Sequence, residues 1–401
     1  MSENPFNFAR PAKGDNFYNR GEETKEAFGF IRSSQSFSVI GERRIGKTSF
    51  LEHILSEEVF KKNEMNFNKY IIICISLGSL PEISQEALAR AIIDDLKENI
   101  EVGTQSEDVL EELDQWVKEL AFKKKKLILA LDEFEIAENI IDCHFSYRLK
   151  SILEHSSLFA ITASRNTVAE ISPNGKASPL FNVFGNLFLS LFSKEETEEM
   201  IYNMFSRGDM KIEEEEISYL TELSGRNPYL IQYLGFNYYE EREKIGRVDQ
   251  IEFESRMSSH LKNYFENCWK HLPDNEKKFL VSPKGTDSPI GYILKRKGYL
   301  IEENGRWKIP SMLWDDFVQE KKKGRIQRFL KCVQQVASRV SLISLVGIIL
   351  LFFALVVFHI NGEVTVVQGA IGAVIAGLII FLLPKLLRKS KSQDGRSINE
   401  E

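Results

Sequence analysis

Short apolar runs separated by polar stretches of helical period recur through the first half of the chain. Residues 37–40, 70–76, 127–131, 158–163 and 186–191 are apolar with few interruptions. A run that short, apolar on both faces, predicts a strand inside a parallel sheet covered on both sides. Residues 84–99 and 107–122 repeat their apolar positions at helical spacing. Strands alternating with helices predict a doubly wound parallel α/β sheet, which binds ligands at the carboxyl ends of its strands. From residue 194 the period is helical alone, and 195–205, 213–223 and 228–243 read as the helices of a lid. Residues 275–281 and 289–297 read as two further helices. Residues 298–301 and 307–309 then pair as a hairpin around 302–306, the order of a winged helix.

The far end has a different pattern. Residues 341–360 (SLISLVGIILLFFALVVFHI) and 364–383 are uncharged runs of 20. At 1.5 Å per residue each helix spans roughly 30 Å of hydrocarbon. Two transmembrane helices are predicted, joined only by Asn361, Gly362 and Glu363 in a tight hairpin. Gly369, Ala373 and Gly377 share one face of the second span, where small residues let helices approach closely within the chain or between chains.

Charge sets the orientation. Residues 321–401 carry 12 Lys and Arg against 4 Asp and Glu, whereas residues 1–320 carry 40 against 54. Basic residues flank both spans and the turn has none, so the positive-inside rule places both termini in the cytoplasm of a cell-membrane (inner-membrane) protein. The basic flank suits anionic membrane lipids, and the acidic body argues against nucleic acid as a partner. Cys74, Cys143, Cys268 and Cys332 are scattered without a CxxC pair, against a disulfide framework or zinc site. The polar first 30 residues contain no secretory signal.

The chemistry begins after the first strand. Gly41-Glu42-Arg43-Arg44-Ile45-Gly46-Lys47-Thr48, followed by Ser49 and a helical stretch, fits GxxxxGK[ST] in the strand–loop–helix context that motif requires. The glycines let backbone N–H groups curl around phosphates, and the helix N-terminus adds partial positive charge. Lys47 is placed for the β- and γ-phosphates and the Thr48 hydroxyl for Mg²⁺. The strand at 127–131 ends in Asp132-Glu133, which gives Asp132 the Mg²⁺ shell and Glu133 the attacking water. The strand at 158–163 ends in Ser164-Arg165-Asn166, any of which is a candidate γ-phosphate sensor.

With these motifs the chain resembles the signal-transduction ATPases of the STAND class, among the AAA-like P-loop ATPases of prokaryotes. Asn4-Pro5-Phe6, Arg10-Pro11 and Phe17-Tyr18-Asn19-Arg20-Gly21-Glu22-Glu23 are similar to the segment before the P-loop in that class. Residues 41–49 and Leu131-Asp132-Glu133-Phe134-Glu135 resemble its two Walker motifs, and Ser178-Pro179-Leu180-Phe181-Asn182 its stretch before the last strand. Ser224-Gly225-Arg226-Asn227-Pro228-Tyr229-Leu230 is similar to its GxP-type lid motif, with two residues between glycine and proline instead of one. The resemblance implies Pro228 beside the adenine, Glu133 as catalytic base, and a switch held shut with ADP and opened by a trigger and ATP. ATPases of the KAP group carry membrane spans inside the ATPase domain; here the apolar runs follow it.

The expected organisation is a P-loop ATPase domain (1–193), a helical lid (194–265), a winged-helix-like domain (266–318), a basic juxtamembrane linker (319–340), the hairpin (341–383) and a cytoplasmic tail (384–401). The expected function is a slow ATP- and Mg²⁺-dependent switch whose nucleotide state controls the hairpin. Its ATP state is a homo-oligomer, its trigger is a protein or ligand, and its setting is defence or stress. The alternatives are a membrane-tethered DNA-binding regulator, contacting phosphates through Lys295-Arg296-Lys297, and a scaffold with a structural nucleotide.

Overall fold

The computed structural model describes residues 3–99, 106, 108–139, 147, 150, 151, 153, 158–171, 183–283, 285 and 287–337. Met1–Gln319 forms one unit and Glu320–Glu401 a second. The apolar runs at 341–360 and 364–383, their connecting turn, the small-residue face, the tail, residues 178–182 and Cys143 lie outside the described residues. Among the described residues no helix is long and apolar enough to cross a membrane.

The five apolar runs become β1 (Phe37–Ile40), β2 (Tyr70–Ser76), β3 (Lys126–Asp132), β4 (Leu158–Ser164) and β5 (Gly185–Phe188). They form one parallel sheet in the order β2-β3-β4-β1-β5. β1 and β4 are buried along their whole length, as their unbroken apolar pattern requires when helices cover both faces. On one face lie α1 (Gly21–Ser33), α2 (Lys47–Ile54) and α3 (Glu57–Lys62), with Phe28, Phe50 and Phe60 in the core. On the other lie α4 (Gln85–Asn99) and α5 (Val109–Phe122), with Leu96, Trp116 and Leu120. Ser38 and Thr162 put hydroxyls into this interior, and they satisfy each other across β1 and β4 at 2.6 Å.

The strand order matters for the site. β4 lies between the P-loop strand β1 and the acidic strand β3, and the carboxyl ends are in register: Ile40 faces Ser164, and Ser76 faces Asp132. Gly41, Asp132, Ser76 and Ser164 therefore sit along one edge of the sheet. β5 is shorter than the apolar run predicts. It stops at Phe188, although Leu189 N still donates to Ile40 O (2.7 Å).

The helical part contains α6 (Lys194–Arg207), α7 (Glu214–Ser224), α8 (Pro228–Ile245), α9 (Gln250–His271), α10 (Asp274–Val281) and α11 (Pro289–Arg296), then β6 (Ile301–Glu303) paired antiparallel with β7 (Arg306–Lys308). α6 starts with a full capping box between Ser193 and Glu196. α9 carries Phe253, Met257, Leu261 and Phe265 at four-residue spacing and runs across residue 265 without a break. Its core is shared with the N-terminal segment, because Phe6 is buried against Phe205 (5.2 Å) and lies against Gly235, where any side chain would collide with it. The final helix α12 (Met312–Ala337) starts with Leu313, Trp314, Phe317 and Val318 in that core and continues through the described part of the basic stretch.

Candidate nucleotide site

A cavity of about 740 Å³ opens where the strand ends meet the helical layer. The P-loop builds its floor. Gly46 has φ +100° and Arg44 φ +65°, a left-handed turn that suits the glycine and aims the loop's backbone into the cavity. Lys47 opens α2, and its Nζ donates to Gly41 O (2.8 Å) and Glu42 O (3.1 Å). Burial pulls the Lys47 pKa down, and the carboxylates of Glu135, Glu42 and Asp132 oppose that pull. Thr48 Oγ1 donates to Asp132 Oδ2 at 2.5 Å, so the two predicted metal-holding oxygens meet across the site. Arg43, Ile45 and Ser49 also line the cavity, and Ser49 Oγ accepts from Ala12 N (3.0 Å).

Glu133 follows Asp132 with φ +55°, a strained conformation for a residue with a side chain. Its N–H donates to Asp132 Oδ1 (2.8 Å), and its carboxylate accepts from Ser76 Oγ (2.8 Å) at the end of β2. Gly78 leaves the room for this, since a Cβ there would meet Glu133 Oε2.

Of the three sensor candidates, only Arg165 lines the large cavity. Its Nε lies 3.4 Å from Glu135 Oε1. Ser164 is fully buried, and its hydroxyl is spent on Asn166 O (2.5 Å) while its carbonyl accepts from Gly41 N (3.1 Å). Asn166 faces a separate cavity of about 120 Å³ shared with Glu42, Arg296 and Lys297.

The walls come from parts of the chain that the motifs do not mark. Asn7, Phe8, Arg10, Phe17 and Tyr18 of the N-terminal segment line the cavity together with Phe192, Met200, Pro228, Tyr229 and Gln232. Pro228 stands at the first turn of α8, whose N-cap Asn227 accepts from Tyr229 N and Leu230 N. Gln232 Oε1 accepts from Asn7 N (2.8 Å), and the Arg44 guanidinium lies 4.2 Å above the Tyr229 ring. Arg20, only 4% exposed, ties the pieces together: it pairs with Glu23 and donates to Ser190 O (2.7 Å). The cavity wall thus holds six Arg and Lys side chains against Asp132, Glu133 and Glu135, a balance that suits a polyanion.

The helix–helix–hairpin segment packs on the P-loop's other side. Glu42 is largely buried, its pKa is raised mainly by burial, and Tyr299 OH lies 3.4 Å from it. The basic run that the DNA-binding alternative would use is engaged within the protein. Lys295 pairs with Glu302 (3.1 Å), Arg296 stacks on Phe188 (4.4 Å) and Lys297 pairs with Glu276 (2.8 Å).

Mg²⁺ suits this arrangement. A hydroxyl beside a single carboxylate is the hard-oxygen, few-ligand set that Mg²⁺ accepts when substrate phosphates complete its shell. Among the described residues no group of three His, Cys, Asp or Glu could hold a metal by itself.

Comparison with solved structures agrees on the fold. The Walker-type ATPase PABY2304 of Pyrococcus abyssi is 18% identical, with 78% of this chain and 99% of that chain covered and a TM-score of 0.53. The RuvB Holliday junction branch migration motor of Thermotoga maritima (16% identity, 76% and 96% covered, TM-score 0.42) and the ORC1 protein of Aeropyrum pernix, solved in complex with DNA (13%, 78% and 95%, 0.45), are more distant. No curated protein matches the chain. The family model described as Novel STAND NTPase 2 matches residues 30–284, which include the P-loop, the Asp132-Glu133 strand and helices α6–α10. This chain belongs to that family of P-loop NTPases.

Proposed function

We propose that the chain is a membrane-anchored ATPase switch. The observation that carries the nucleotide part is the Thr48–Asp132 contact, which brings the two Walker elements together at the mouth of a cation-rich cavity. Lys47 would neutralise the β- and γ-phosphates, with Arg165 close enough to take the terminal phosphate. Glu133 would accept the proton of the attacking water, and Pro228, Tyr229 and Gln232 would enclose the base with the N-terminal segment. Thr48 and Asp132 would hold Mg²⁺, which supplies charge stabilisation to the phosphates when bound. Two contacts support the switch reading: the P-loop touches the helical layer through Arg44–Tyr229 and the segment beyond it through Glu42–Tyr299. A nucleotide that reshapes the loop therefore loads both contacts. Anchoring rests on the two uncharged runs and their basic flanks. In this reading the ATP state self-associates, a cytoplasmic protein or ligand triggers it, and the hairpin delivers the output, in a defence or stress setting.

The test is ATP turnover and particle mass of the full chain in detergent, with and without Mg²⁺ and with and without cell extract. Mg²⁺-dependent turnover with a mass that rises in ATP over ADP is expected. Turnover that survives Lys47→Ala, or equal mass with both nucleotides, overturns the corresponding half of the proposal.

A further inference from the structure

The cavity holds a carboxylate that none of the assigned steps uses. Glu135 lies two residues after Glu133, in the 3₁₀ turn Phe134–Asn139 that follows β3, and Phe134 and Ala137 anchor that turn in the core. The two glutamates serve opposite sides of the strand. Glu133 turns toward β2 and accepts from Ser76. Glu135 turns toward β4, where its Oε1 pairs with Arg165 Nε at 3.4 Å. Its Oε2 is buried and has no hydrogen-bond partner among the described residues. Among the acids that act on Lys47, Glu135 acts most strongly. A carboxylate with one unsatisfied oxygen is thus paired with Arg165 in the cavity that Lys47 also lines.

Glu135 itself is part-exposed, but a carboxylate oxygen buried without a partner is costly. It also carries the same charge as the phosphate that would enter. A triphosphate must draw Arg165 away from Glu135 and bring a like charge up to it, whereas a diphosphate, lacking that phosphate, leaves the pair in place. We infer that Glu135 is a positioning residue that holds Arg165 when no terminal phosphate is present and thereby sets the balance between nucleoside di- and triphosphate. The inference rests on the nucleotide-site reading above. It assigns Glu135 no proton transfer and no bond-making step. Its effect is on differential affinity, the only quantity by which a ligand shifts a two-state equilibrium.

The experiment is calorimetric binding of ADP and a non-hydrolysable ATP analogue to the full chain with Mg²⁺, for wild type, Glu135→Gln, Arg165→Ala, the double variant and Lys47→Ala. Glu135→Gln is expected to favour the triphosphate over the diphosphate by about tenfold relative to wild type, within the 5- to 150-fold range of typical coupling. The same exchange made in Arg165→Ala is expected to give a smaller change, because only the direct repulsion remains to be relieved. Glu135→Ala is to be measured beside Glu135→Gln and is expected to move the ratio the same way. An unchanged ratio in both Glu135 variants, or equal weakening of both nucleotides, means a merely structural carboxylate and overturns the inference. So does a change of equal size with and without Arg165. Lys47→Ala separates the two levels. If it binds both nucleotides as wild type does, the site reading itself fails; if it loses both while Glu135→Gln leaves the ratio unchanged, only this inference fails.

Discussion

Lys47 is surrounded by backbone carbonyls and carboxylates and is largely withdrawn from water, so its charge is available to a phosphate at little reorganisation cost. Lys47→Ala is expected to weaken ATP and ADP alike by about 2–5 kcal/mol, the usual loss when one partner of a buried charge pair is truncated; calorimetry or fluorescent-nucleotide titration measures it. Glu133→Gln is expected to keep ATP binding and lower hydrolysis by about 10²–10⁴-fold, since the amide keeps the shape and the Ser76 contact but takes no proton. Single-turnover ATP hydrolysis checks it, and wild-type turnover would return Glu133 to a structural role. Glu42 gives a pH signature. Burial raises its pKa above the ordinary 4.5. Its neutral form is favoured in the folded state, so its contribution is fully present below the ordinary carboxylate value and is lost as pH rises through the folded value. Glu42→Gln should therefore gain stability relative to wild type as pH rises upward from about 4.5, read as the difference in Tm between the two proteins. The Walker residues were legible because their chemistry is local in sequence. That Arg165 lines the cavity while Ser164 and Asn166 do not was not legible, because it depends on which way each side chain leaves the end of β4. Nor were Arg20, Gln232 and the wall from Asn7 to Tyr18, which reach the site only through long-range packing.

At the scale of elements, strands were easier to read than helices for a physical reason. A strand buried on both faces is apolar without a break, as in β3 and β4. By contrast α1 buries only Ala27, Phe28 and Ile31, and its N-cap Arg20 is left-handed and gives no capping side chain, so neither a long stripe nor a start signal announces it. α9 is not among the helices the period marks, and it runs across residue 265, where the expected lid and winged-helix-like domains meet. The order of the strands is not written in their composition at all; it is set by long-range pairing across the sheet. The joint between the helical layer and the last helix is a further test. Gly225 caps α7 at φ +61°, and a Cβ there would collide with the backbone N of Ser311. Ser311 in turn donates its hydroxyl to Leu223 O (2.8 Å) and caps the start of α12 by accepting from Trp314 N. Gly225→Ala should cost more than the roughly 1–2 kcal/mol of a left-handed backbone, because backbone and not a flexible side chain blocks the methyl. Thermal unfolding measures this, and a drop in Tm no larger than that of Asn227→Ala, a helix-cap loss of about 1 kcal/mol, would show that the joint gives way freely.

The whole molecule divides by charge and hydropathy more sharply than any motif divides it. An acidic body of 320 residues is followed by a basic stretch, two uncharged runs and a basic tail. The body alone gives no reason for that end, since its cavity is complete within Met1–Gln319. A uniformly apolar run of 20 residues left in water would expose far more hydrocarbon than a soluble protein tolerates, and two of them separated by three residues satisfy each other's length in a bilayer. The basic flanks then place both ends on the cytoplasmic side in the proposed topology. In the proposed topology Asn361–Glu363 is the sole external segment, too short to hold a receptor, so the trigger must act on the cytoplasmic body. With the native cysteines replaced, a cysteine introduced as Gly362→Cys should react with a membrane-impermeant maleimide on intact cells, and one introduced as Lys391→Cys should react only after lysis. A chain ending at residue 340 should leave the membrane fraction yet keep its Mg²⁺-dependent ATP turnover, because every residue of the cavity precedes that point. Labelling of Lys391→Cys on intact cells, or a truncated chain that still sediments with membranes, would remove the hairpin from the account and leave the nucleotide site standing.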